Sequence, residues 1–60
     1  MAINKHSVMA RFHVDGLGTF AVVILEWGAK VSTVRFCGLD GQKLFGDSKP
    51  MVPTADLLEF

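Results

Sequence analysis

The residues able to do chemistry at neutral pH are few: His6, His13, Cys37 and six carboxylates in sixty residues. The two histidines stand seven positions apart and Cys37 is distant from both. That spacing matches no zinc pattern, and no metal or other cofactor is expected. A Cys–His nucleophile pair would also need a substrate cleft, for which so short a chain has little room. Cys37 closes an alternating apolar run and reads as a buried structural thiol. Gly16-Leu17-Gly18 resembles the opening of a phosphate loop, but a dinucleotide fingerprint requires a third glycine and a following helix, and here a strand-like run follows. The glycines read as turn residues needing positive φ. Asp15, Glu26, Asp40, Asp47, Asp56 and Glu59 fall mostly at turns and ends, where solvated charges belong. The expectation is that the chain is not an enzyme.

That leaves recognition by surface. Half of the residues are apolar, and six Lys+Arg balance six Asp+Glu to a net charge of zero. Disorder needs the opposite composition, a disulfide framework needs more than one cysteine, and non-specific nucleic-acid binding draws on a positive surplus. A domain of this size buries only about 60% of its unfolded surface, and its core rarely supplies more than about 3–5 kcal/mol. So apolar a chain then carries more hydrophobic side chains than one core holds. Either the core is well filled with scattered apolar groups outside it, or a patch awaits a partner or a second copy. The polar N-terminal stretch reads as no secretory signal, and the longest apolar run, Phe20 to Leu25, is too short to span a bilayer. A lone cysteine fits a reducing compartment, so the expected location is cytoplasmic.

The elements that position these residues are short. Asp15-Gly16-Leu17-Gly18, Trp27-Gly28-Ala29-Lys30, Leu39-Asp40-Gly41-Gln42 and Gly46-Asp47-Ser48-Lys49-Pro50 are turn clusters. The runs between them are rich in Val, Ile, Phe and Thr and predict strands at Val8–Val14, Thr19–Trp27, Val31–Cys37 and Gln42–Phe45. One turn of 3₁₀ helix is expected at Thr54–Leu57, then a final strand at Leu58–Phe60. Five short strands in one domain, residues 1–60 with 1–7 flexible, predict an all-β antiparallel barrel.

Asp40-Gly41 is a strong hairpin signal and would set Phe36 opposite Phe45. A two-residue turn at Gly28-Ala29 would pair Leu25 with Ser32, Val23 with Val34 and Ala21 with Phe36. Ala21, Val23, Leu25, Val34, Phe36 and Phe45 then form the core face, and Phe20, Val22, Ile24, Thr33 and Arg35 the outer one. A slip of one residue exchanges the faces. Trp27, at a strand tip beside a glycine, is either a partner anchor or a cap on the core. Apolar groups around one arginine match the composition of interface hot regions, so Phe20, Val22, Ile24, Trp27 and Arg35 are the expected partner contacts. The alternative, a nucleic-acid-binding barrel, would use Arg11, Lys30, Arg35 and Lys43 with stacking aromatics.

The stretch Phe12-His13-Val14-Asp15-Gly16-Leu17-Gly18-Thr19-Phe20 resembles the His…Gly-x-Gly-Thr/Arg opening of SH3-like, Tudor-like barrels. Lys30-Val31-Ser32-Thr33-Val34-Arg35-Phe36 is similar to their V-x-V-x-F third strand. Asp40-Gly41-Gln42-Lys43-Leu44-Phe45 resembles their D-G-x-K-x-F/L hairpin, and Ala55-Asp56-Leu57-Leu58 their closing segment. Domains of this pattern include the C-terminal module of UvrD/PcrA-type helicases, the N-terminal module of RapA and the polymerase-interaction domain of the CarD and transcription-repair coupling factor family. The resemblance spans residues 12–58. The sequence departs from the family in having Lys5-His6-Ser7-Val8 where a G-D-x-V strand is usual, and Met51-Val52-Pro53 adds length before the last strand.

The resemblance implies a protein-binding module that docks on a larger protein such as RNA polymerase or other nucleic-acid machinery. A partner strand would add to an exposed barrel edge. A module of this size suits a phage- or plasmid-encoded inhibitor or a domain cut from a larger chain. A homo-oligomeric structural protein is the third reading, in which the apolar surplus closes an assembly.

Overall fold

The computed structural model describes residues 3–60. Four strands follow one another as an antiparallel meander: β1 (Met9–Val14), β2 (Gly18–Glu26), β3 (Val31–Phe36) and β4 (Met51–Pro53), in sheet order β1-β2-β3-β4. A helix, α1 (Leu39–Phe45), lies between β3 and β4, and a 3₁₀ turn at Thr54–Asp56 follows β4. The fold is mostly β, its four-strand sheet curled into a half-barrel whose concave side holds the core.

Three strands and the 3₁₀ turn lie where the sequence puts them. The last two predicted strands do not. Leu39–Phe45 is helical where a hairpin ending in a Gln42–Phe45 strand was expected. Gly38, at φ 89°, breaks the strand direction before the helix, and Gly46, at φ 57° and ψ −131°, stops it, a backbone geometry that glycine adopts without a Cβ penalty. Between them Leu, Gln and Lys are good helix formers and poor strand formers. Gly41 is not a turn glycine: a Cβ there would lie 2.8 Å from the Phe36 Cβ, so its bareness lets α1 press onto β3. Phe36 and Phe45 do meet, stacked at 4.4 Å, but across a helix–strand contact. The expected final strand contracts to a single bridge, Leu58 against Arg11.

The β2–β3 register also differs from expectation by one residue. Val22 stands opposite Phe36 and Ile24 opposite Val34, with a bulge that sets both Leu25 and Glu26 against Thr33. The bulge absorbs the extra residue. Phe20, Val22 and Ile24 therefore turn inward instead of Ala21, Val23 and Leu25. Ala10, Val22, Val34, Phe36, Val52 and Leu57 form the buried core, and Phe12, Phe20, Ile24, Trp27 and Phe45 pack against it. Phe36 is its centre, with Phe12 and Phe20 edge-on at 6.0 Å each.

Buried polar groups close the far end. The Thr54 hydroxyl donates to the Gly28 carbonyl at 2.7 Å, and the Gly28 N–H donates to Ser32 Oγ at 3.2 Å. With its own proton so used, Thr54 Oγ1 accepts from Ser32 at 2.7 Å. This ring of three bonds ties the 3₁₀ turn to the β2–β3 connection and leaves neither hydroxyl wanting. In the stretch expected to be flexible, residues 3–7 hold a hydrogen-bonded turn, with the Ser7 N–H donating to the Asn4 carbonyl at 2.9 Å and Ile3 packed on the core; Met1 and Ala2 lie outside the described residues.

Candidate functional site

The structure divides the expected contact residues between two faces. Val22 is fully enclosed, with no exposed surface, so it is a core residue and not a contact. Phe20 and Ile24 share its side of β2 and are half-buried against the core. Trp27 is also half-buried there, capping the core end. Arg35 alone keeps the predicted outer position and is exposed. The reason is the register: once the bulkier alternate set on β2 fills the concave side, the smaller set must point out.

The convex face therefore consists of the residues between the core positions. Met9, Val23 and Arg35 form one row across β1, β2 and β3; Arg11 and Ala21 form the next; Glu26, Thr33 and Met51 form a third. Met51 is 65% exposed, and Leu25, Val31 and Met9 are 46%, 43% and 37% exposed. This is an apolar band set with two arginines and one carboxylate. Arg11 is anchored, its Nε donating to the Glu59 carbonyl at 2.9 Å. Neither Arg35 nor Glu26 makes an ion pair with a described residue. Sequence reasoning missed Met9, Val23 and Met51. The alternation on β2 carried the signal for Val23, with the parity inverted; Met51 was hidden between two prolines.

The edges of the half-barrel are poor templates for an added strand. On β1 the Arg11 N–H donates to the Leu58 carbonyl at 3.0 Å and the Leu58 N–H donates to the Arg11 carbonyl at 2.8 Å, so the chain's own end occupies that edge. On β4 the inward positions are used, Pro50 accepting from Val34 at 3.0 Å. Outward, Pro53 has no N–H to give.

Other chemistry is thinly provided. His13 Nδ1 lies 3.2 Å from Thr19 Oγ1 and its Nε2 3.7 Å from Asp15 Oδ1. The order evokes a hydroxyl–imidazole–carboxylate relay, but the carboxylate contact exceeds hydrogen-bonding distance and both acid and base stand in solvent. No group of three or more His, Cys, Asp or Glu among the described residues could hold a metal ion. Arg11 and Arg35 are on the convex face, Lys30 is at the β2–β3 connection and Lys43 is on α1, so the cations proposed for nucleic acid share no single groove. Phe12 and Phe20 each pack edge-on against Phe36 in the core rather than standing free as stacking platforms for bases. A shallow groove runs beside Trp27, lined by Ile3, Ala29, Ala55, Leu57 and Leu58 together with the polar Thr54 and Glu59.

No described helix is long and apolar enough to cross a membrane. Comparison of the chain with known protein families, with curated proteins and with solved structures finds no match in any of the three.

Proposed function

We propose that this chain is a protein-interaction module that docks on a larger protein through the convex face of its sheet. The observation that carries the reading is the exposed band of Met51, Met9, Val31 and Leu25 around Arg35. Scattered apolar residues need no explanation, but a contiguous band with a central arginine has the make-up of a docking surface. We read the half-barrel as SH3-like. What supports this is the order of a four-strand meander, a 3₁₀ turn and the return of Leu58 to β1, with α1 standing where the family pattern has a hairpin. The SH3-like resemblance makes transcription or other nucleic-acid machinery the class of partner, in the manner of a small inhibitor that occupies a site on it.

The test is capture from the native cell with tagged wild type, Met51→Glu and Arg35→Glu, each verified as folded by circular dichroism. A species held by wild type and lost from both variants supports the reading. A species held equally by all three overturns the face assignment.

A further inference from the structure

We propose that the same convex face also binds a second copy of this chain, giving a two-fold symmetric dimer that competes with the larger partner. This rests on reading the face as a docking surface and adds an occupant to it. Three observations favour a second copy.

The first is a shortage of core. Among the described residues six apolar side chains are buried, four of them, Ala10, Val22, Val34 and Val52, no larger than valine. Chains this short commonly add a disulfide, a metal or association. Cys37 is the sole cysteine, and no metal-holding cluster occurs among the described residues. The second is the pattern of charge. Glu26 and Arg35 lie on one face in adjacent rows, both exposed and neither ion-paired with a described residue. A two-fold axis between two such faces, running across the strands, lays the row of Met9, Val23 and Arg35 over the other copy's row of Glu26, Thr33 and Met51. Each arginine then comes within about one strand spacing of the opposite glutamate, and the contact forms twice, as isologous symmetry requires. The third is the state of the edges: with Leu58 on β1 and Pro53 on β4, copies are steered from edge pairing to face packing. A standard interface takes about 800 Å² from each partner, roughly a fifth of the chain's 4250 Å² surface.

Sedimentation equilibrium of the full chain from micromolar to millimolar concentration tests this. The wild-type mass should double across that range. Arg35→Glu and Glu26→Arg should each weaken association about tenfold or more, because each creates two like-charge contacts. The double exchange should restore it. A wild type that stays monomeric at millimolar concentration overturns the second copy, as does a dimer indifferent to both single exchanges. If the wild type is monomeric while a larger protein is still lost on Met51→Glu, the dimer falls and the docking function stands.

Discussion

The two faces of β2 differ by one position in sequence and by everything in environment. Phe20, Val22 and Ile24 lie against Phe36 and the core, while Ala21, Val23 and Leu25 look outward beside Met9 and Met51. Both sets are apolar. In most antiparallel strands one face is polar, and polarity settles which side is in. Here volume settles it: the concave side takes the larger alternate set, and the bulge at Leu25 supplies the offset. Ala21, Val23 and Leu25 are not among the side chains packed against the core, and the proposed docking function draws on that outward apolar character.

Substitutions should separate the faces by their cost. The largest effect is expected from Phe36→Ala, which removes the ring that Phe12, Phe20 and Phe45 all contact. A loss of about 3–5 kcal/mol is expected, comparable to the whole stability of so small a core, and circular dichroism should show a largely unfolded chain. Thr54→Val keeps the shape but strips the Gly28 carbonyl and the Ser32 hydroxyl of a partner. Urea denaturation should report about 1–3 kcal/mol lost. Gly41→Ala sets helix propensity, worth about 1 kcal/mol in its favour, against a methyl pushed into Phe36, at about 1–3 kcal/mol. A net destabilisation of about 1 kcal/mol is expected by the same measurement. Met51→Glu should change the stability of the dilute monomer by no more than about 0.5 kcal/mol. If instead it rivals Phe36→Ala, the convex face is structural and the contrast between the faces fails.

Much of this was legible before any coordinates. Strand composition and turn glycines placed β1, β2 and β3 to within about a residue at most ends, and Thr54 announced the 3₁₀ turn. The helix was not legible because seven residues are too few to show a 3.6-residue period, and because Asp40-Gly41 mimics a hairpin while Gly41 serves a close approach. β4 was hidden by Pro50 and Pro53, which mark a loop in most sequences and a short edge strand here. The site suffered most from the register: two equally apolar faces carry no internal mark of which is inward. Arg35 survived the slip because it lies on β3, where Val34 and Phe36 alternate with Thr33 and Arg35 and mark the inward side.

The return of Leu58 to β1 has a consequence for how the molecule breathes. Its joint includes two main-chain bonds and one arginine reaching Glu59, and none of these belongs to the phenylalanine cluster. Thermal fluctuation can part the joint while the meander stays intact, a local opening far below the free energy of global unfolding. In deuterated solvent the Arg11 and Leu58 amides should therefore exchange ahead of those shared by β2 and β3.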